Sequence, residues 1–407
     1  MNHLFNLEEF VKQHITFRPQ SLLAADLQNN HTRLSAQVFK KSVLVIGGAG
    51  SIGSSFIKSI LRYKPARLFV VDINENGLTE LTRTLRSDLS IEMPAEYITY
   101  PLNFNDPIFY KILAKYGPFE IVANFAAHKH VRSEKDIFSI EAMVQNNVIH
   151  AEKLLNALSG GKHIEHFFAV STDKAANPVS IMGASKKLME DVLMSYSTLL
   201  PITTARFANV AFSNGSLPQG FIERLMKKQP LSSPNNIRRY FVSPAESGEI
   251  CMLSCLLGDS GDIFFPKLDP DTELKTFSDI AIQFLDFHGL KPIYTTSEEE
   301  AKGIAQQLSD SSKEYPVYFF ESETSGEKSY EEFYTEYEQL DMDSFVNLGV
   351  IKNTPKPSLE AIRSIINKLN VSFQKQDLSK ADVVSIINEY IPNFSHIETG
   401  KNLDQKM

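Results

Sequence analysis

Cysteine is scarce in this chain. Cys251 and Cys255 are the only two in 407 residues. Their spacing of four places both on one helical face, where no structural disulfide is expected, and two thiols do not make a tetrahedral zinc site. They read as reduced core residues of a cytoplasmic protein. Long apolar runs are missing as well. No stretch approaches the roughly 18 uninterrupted apolar residues of a membrane-spanning helix. The first residues, MNHLFNLEEFVKQHITFRP, carry acidic side chains and no apolar core of signal-peptide length. An excess of positive charge is absent too. The chain has 41 Lys+Arg against 49 Asp+Glu, a net charge of −8, so neither nucleic acid nor a membrane surface is an expected partner. A local basic pocket for phosphate stays compatible with that balance. Internal repeats and low-complexity tracts are not apparent.

What is present is a regular alternation. SVLVIGG (42–48) is a short aliphatic run ending in glycines, the pattern of a buried parallel strand. Further strand patterns follow at RLFVVDI (67–73), EYITYPLNF, FEIVANFAA (119–127), HFFAVST (166–172) and ITTARFANV (202–210). Helical patterns separate them, including one over 134–158 and one over 183–198. Strands alternating with helices predict an α/β fold, a Rossmann-like, doubly wound parallel sheet. The expected organisation is an N-terminal helical arm (1–40) and a dinucleotide-binding domain (41–210). A smaller, discontinuous substrate-binding part (211–375) follows, with a polar surface insertion at 295–316, and then a helical tail (376–407).

Gly47, Gly50 and Gly53 lie between the first strand and its helix. The first allows a tight turn, and the others let backbone approach a pyrophosphate and let helix pack on strand. Ser51 and Ile52 then stand at the helix N-terminus, whose N–H groups favour phosphate. A glycine triplet serving only a tight turn is the alternative. The context favours a dinucleotide, because Asp72 ends the next strand, where a carboxylate binds an adenosine ribose. A carboxylate there repels a 2′-phosphate, so NAD is expected rather than NADP. Asn103 is placed near the adenine, and Ala126 and Ala127 leave room for ribose and nicotinamide.

Thr172, Asp173 and Lys174 close a strand at its carboxyl end, where open α/β sheets place their chemistry. Lys186 follows on the next helix. The spacing is that of a Tyr-x-x-x-Lys site with Met182 in the tyrosine position. The alternative, a solvated turn carrying Asp and Lys, weakens once the glycine loop upstream is considered. Met182 is a weak acceptor that cannot take a proton. A proton leaving a substrate hydroxyl must then pass to Asp173, Lys186 or water, and the sequence does not choose among them.

These pieces resemble the extended short-chain dehydrogenase/reductases, and within them the UDP-N-acetylglucosamine 4,6-dehydratases. The matching segments are IGGAGSIGS (46–54), NFAAHKHV (124–131), NNV (146–148), VSTDKAANP (170–178), MGASK (182–186), RFANVAFSNGS (206–216), RRYFVSPAE (238–246) and SGEKSYEE (325–332). Ala208 replaces the family's usual glycine, and Asn214 stands where a basic residue is common. The resemblance implies a lyase with bound NAD that oxidises the sugar at C4, eliminates water across C5 and C6, and returns the hydride to C6. It implies Lys174 as base and Asp173 as acid, Thr172 at the C4 hydroxyl and Lys186 at the nicotinamide ribose. Methionine at the tyrosine position occurs in this subgroup. Lys129 and Asn147 are implied at the cofactor. Lys129, Asn209, Ser213, Arg238, Arg239 and Glu327 are implied at a UDP-sugar substrate. A homo-oligomer is implied as well.

Other readings are open. His128 and His130 could share one face in an extended segment, but two histidines are too few for a metal site, and no metal is expected. A nucleotide-sugar 4-epimerase would share C4 oxidation without the elimination. A non-catalytic NAD-binding regulator would bind the dinucleotide without turnover.

Overall fold

The computed structural model describes residues 6–129, 134–161, 163–322, 325–326, 328, 330 and 332–398. Six strands carry the first half of the chain: β1 (Ser42–Ile46), β2 (Arg67–Asp72), β3 (Glu96–Pro101), β4 (Ile121–Asn124), β5 (His166–Val170) and β6 (Ile202–Ala205). They lie side by side in the order β3-β2-β1-β4-β5-β6, all parallel, with Val45 opposite Val70 on one side and Ala123 on the other. Every residue of β1 and β4 is buried. Helices on both faces remove any need for alternation, which is why these strands read as continuous apolar runs. Two connecting helices matter below, α1 (Ser51–Leu61) after β1 and α2 (Ile181–Tyr196) after β5. The chain turns opposite ways from β1 to β2 and from β1 to β4. That reversal opens a crevice at the carboxyl ends of β1 and β4.

Beyond β6 the strands are shorter: β7 (Asn209–Val210), β8 (Leu231–Pro234), β9 (Arg238–Val242), β10 (Ile263–Pro266), β11 (Leu274–Thr276), β12 (Lys291–Thr295), β13 (Glu314–Phe320), β14 (Gln339–Asp341) and β15 (Leu348–Lys352). β10 extends the main sheet in parallel beside β6, and β15 and β14 close it antiparallel. The others form two small sheets, β11-β9-β7 and β12-β13-β8. A hydrogen bond from the Asn214 N–H to the Ser51 hydroxyl (2.8 Å) brings this second part to the amino end of α1, over the crevice.

The segment read as a polar insertion, 295–316, is instead built into a strand–helix–strand unit. β12 and β13 pair in parallel around the helix Glu298–Ala305, which buries Ala301 and Ala305. Small apolar residues facing inward gave little hydrophobic signal. The helix expected over 134–158 is broken by one wider turn. Ile137–Val144 runs into a π-helical turn at Gln145–Ile149 before His150–Ser159. Such turns often mark functional sites, and this one carries the buried Asn147.

The N-terminal residues pack on the second part. Phe10, Val11 and Ile15 join Phe212, Phe221 and Phe284 in one apolar cluster. Arg18 pairs with Glu246 and Glu273, and Asp26 accepts the N–H groups of Val346 and Asn347. At the other end, the helix Lys380–Tyr390 buries Val383 and Ile387. The chain then returns as an extended strap, with Ser395 and Ile397 donating to the carbonyls of Pro178 and Val179. Among the described residues no helix is long and apolar enough to cross a membrane.

Candidate active site

The glycine loop is shaped by contacts that no side chain would permit. Gly47 has φ +74°, and a Cβ there would lie 2.6 Å from the Ala126 nitrogen, so the loops after β1 and β4 touch. A Cβ on Gly53 would lie 2.3 Å from the Gly47 carbonyl oxygen. Gly50, extended at φ −71° and ψ 164°, caps α1, and the first intrahelical bond is Ser54 N–H to the Gly50 carbonyl. The N–H groups of Ser51, Ile52 and Gly53 precede that bond. They form the anion-binding end of the helix. The Ser51 hydroxyl itself is engaged with Asn214.

Asp72, at the end of β2, is oriented by two backbone donors, Ala49 N–H and Asn74 N–H, each at 2.9 Å. A carboxylate has about four acceptor sites, so two remain for a diol. These residues fit an adenosine dinucleotide. Asn103 is exposed and accepts the Asn105 N–H. Ala126 and Ala127 are half-buried behind β4. Lys129 stands at the rim with its residue surface exposed, yet enough protein surrounds its amine for desolvation to lower its pKa. Asn147 spends its side chain on protein. It accepts the His128 N–H and donates to the His128 carbonyl and the Ser185 hydroxyl. Its place is a clamp between the loop after β4 and α2.

The segment after β5 is compact. Thr172 caps a short 3₁₀ turn, Asp173–Ala175. Its hydroxyl donates to Asp173 Oδ1 at 2.8 Å, and Lys174 Nζ approaches the same oxygen at 3.0 Å. Asp173 is buried and Lys174 largely so. Gly183 of α2 fits under this turn, since a Cβ there would lie 2.6 Å from the Lys174 carbonyl oxygen.

Lys186 and Met182 depart from the expected arrangement. Lys186 is buried, and its ammonium donates inward to the Val170 carbonyl (2.7 Å) and Met189 Sδ (3.2 Å). Two of its three donors are thus spent on protein. Burial, opposed by the nearby Glu190, pulls its pKa down to about 8. The Met182 side chain is 1% exposed and packs in the main core, so what it offers locally is backbone. Its N–H donates to Glu134 and its carbonyl accepts the Ser185 hydroxyl.

The two arginines part company, because successive side chains of a strand face opposite sides. Arg238 is exposed on an open groove of about 750 Å³ walled by Tyr240, Tyr330 and Tyr334. Arg239 is buried and donates to the carbonyls of Arg238 and Lys328. Asn209 is half-buried on β7 and Ser213 is buried just after it. Glu327 and His130 lie outside the described residues. No cluster of three or more metal-ligating side chains occurs among the described residues.

Sequence reasoning missed the network behind this segment. Ser171, one residue before Thr172, donates to Glu190 at 2.6 Å. Arg206 at the end of β6 forks onto Glu190 and also bonds Glu338. Both Arg206 and Glu190 are fully buried. Burial works to raise the Glu190 carboxyl, but Arg206 holds it below its ordinary value. No local spacing in the sequence ties Arg206 to Glu190.

Comparison with known proteins fits this geometry. A family model described as polysaccharide biosynthesis protein matches residues 43–352. An uncharacterized membrane protein of Methanocaldococcus jannaschii is 28% identical, over 86% of this chain and 96% of that one. A Bacillus subtilis protein described as a probable polysaccharide biosynthesis protein is 28% identical over 66% of this chain, which spans only 43% of its length. A Rickettsia canadensis UDP-glucose 4-epimerase is 25% identical over 84% of this chain and 99% of that one. Among solved structures, Pen from Bacillus thuringiensis superposes with a TM-score of 0.61 at 19% identity, over 82% of this chain and 98% of that chain, a likeness of fold.

Proposed function

Because the chain belongs to the polysaccharide biosynthesis protein family of extended short-chain dehydrogenase/reductases, we propose that it is an NAD-dependent nucleotide-sugar 4,6-dehydratase. The proposed substrate is UDP-N-acetylglucosamine and the product its 4-keto-6-deoxy derivative. Bound NAD would accept a hydride from C4 and return it at C6, so net redox is zero and the enzyme is a lyase. The glycine loop, the first turn of α1 and Asp72 would hold it. Lys129 with Arg238 or Arg239 would serve the diphosphate, arginine being suited to bidentate contact.

The observation that carries this reading is the Asp173–Lys174 contact at 3.0 Å. Elimination across C5 and C6 needs a base and an acid together. An ion pair becomes that couple when one proton moves from Lys174 Nζ to Asp173 Oδ1. A sugar that excludes water favours the neutral form, since desolvation penalises both charges. Lys174 then takes the C5 proton while Asp173 protonates the departing C6 hydroxyl, and the ion pair is restored. The C4 hydroxyl proton is assigned to a water or to Lys186, whose amine must then leave the Val170 carbonyl. That proton matches the one later consumed at C5, so the site ends with its starting charge.

The Rickettsia relative favours a second reading, a 4-epimerase. The buried Met182 side chain, where a proton-accepting tyrosine would stand, weighs against it. Incubating purified protein with UDP-N-acetylglucosamine and NAD, then weighing the product, separates the two. Dehydration loses one water and leaves a ketone, whereas epimerisation leaves the mass unchanged and would overturn the proposal.

A further inference from the structure

Two buried polar atoms face each other beside α2, and neither has a hydrogen-bond partner among the described residues. They are Glu134 Oε2 and His396 Nε2, 3.6 Å apart. Both side chains are at least nine-tenths buried. Leaving such groups unpaired costs free energy, and a buried carboxylate is held in place by an opposite charge. The His396 imidazole is the group the structure sets against that oxygen. The other oxygen, Glu134 Oε1, accepts the Met182 N–H at 2.8 Å, in the first turn of α2. A carboxylate is favoured there by the helix dipole.

His396 reaches this point from the far end of the chain. On either side of it, Ser395 and Ile397 bond the carbonyls of Pro178 and Val179, and the Ile397 carbonyl accepts the Gly326 N–H. The neighbouring Glu398 is engaged by Lys380 and the Ser325 hydroxyl. Alternation along the strap turns His396 inward. From Glu134 the contacts continue through Met182 to the Ser185 hydroxyl, from Ser185 to Asn147, and from Asn147 to His128 beside Lys129.

We propose that His396 is a positioning residue of the active site. Through Glu134 it fixes the first turn of α2, and through Asn147 the loop that carries Lys129. The strap thereby becomes part of the catalytic assembly. The inference rests on the dehydratase reading for its kinetic consequence, but not for its structural one.

The test uses the full-length chain as Glu134→Gln, His396→Ala, His396→Gln and the Glu134→Gln/His396→Ala double variant. Glutamine at 134 keeps an acceptor for the Met182 N–H while removing the charge. Amide exchange over 178–186 is read first. Each single variant is expected to speed it by roughly tenfold, and the double variant by no more than either single, because coupled residues are non-additive. His396→Gln, which keeps an N–H donor, is expected to recover part of the protection. Turnover is read second. The kcat is expected to fall in the same order as protection is lost, and KM for the sugar to rise with it, because the loop that carries Lys129 loosens as well. Unchanged exchange, or single effects that multiply in the double variant, would overturn the inference. So would faster exchange throughout the chain, which marks global destabilisation. If no variant and no parent turns over a nucleotide sugar, the dehydratase reading fails, while the exchange cycle still decides the positioning role.

Discussion

Lys186 offers the sharpest energetic test of the site. Its amine is buried, and its pKa falls from 10.5 to about 8. Each pKa unit corresponds to about 1.4 kcal/mol between the two protonation states. Below pH 8 the lysine is charged in both folded and unfolded chains, and burying that charge costs the fold about 3 kcal/mol. Between pH 8 and about 10.5 the unfolded chain binds more protons than the folded one, so stability rises with pH. Above that window the cost is gone. Lys186→Met removes the titration while filling similar space. It also leaves the Val170 carbonyl without its donor, a loss of about 1–3 kcal/mol that does not vary with pH. Urea unfolding of both proteins from pH 7 to 10 separates the two effects. The stability difference is expected to shift in favour of the parent by about 2.5 kcal/mol across that range. A difference that stays flat with pH would refute the buried, charge-penalised lysine.

Three further outcomes follow from the same geometry. Arg206→Leu leaves the Glu190 carboxylate buried without its partner and is expected to destabilise the chain by about 3–5 kcal/mol. Glu190→Gln combined with it should recover a large part of that loss in urea unfolding. Gly53→Ala places a Cβ against the Gly47 carbonyl and is expected to weaken NAD binding at least about tenfold by calorimetry, because the cradle itself must shift. Asp72→Ala removes the carboxylate proposed to hold a ribose diol and to repel a 2′-phosphate. If Asp72 holds the adenosine ribose as proposed, this cuts NAD affinity and narrows the preference over NADP, and an unchanged ratio would overturn that placement.

Much of this architecture is legible from local pattern. The strands of the parallel sheet are continuous apolar runs because both faces are covered. The glycine loop is legible because backbone approach leaves no room for a side chain at Gly47 or Gly53. Asp173 and Lys174 are legible because they follow a strand end. What the pattern hides is contact between distant segments. Glu190 and Arg206 sit on different elements and meet only when α2 and β6 pack. Glu134 and His396 are brought together by a strap returning from the far terminus. Orientation was also hidden. Arg238 and Arg239 both read as phosphate candidates, with a solvated role open for one of them, and the strand turns them to opposite sides. Met182 and Lys186 occupy the expected positions, but the helix turns the methionine into the core and the lysine onto the Val170 carbonyl. The 295–316 segment reads as polar because its helix turns only alanines, Ala301 and Ala305, into the interior.

The most direct measurement is to run the reaction with UDP-N-acetylglucosamine in deuterated water and follow the sugar by NMR. In the proposed mechanism Lys174 removes the C5 proton and a solvent-exchangeable proton replaces it, so a 4-keto-6-deoxy product with deuterium at C5 is the expected result. Lys174→Met should abolish that incorporation. A C4 epimer with no deuterium at C5 would contradict the elimination chemistry assigned to this pair.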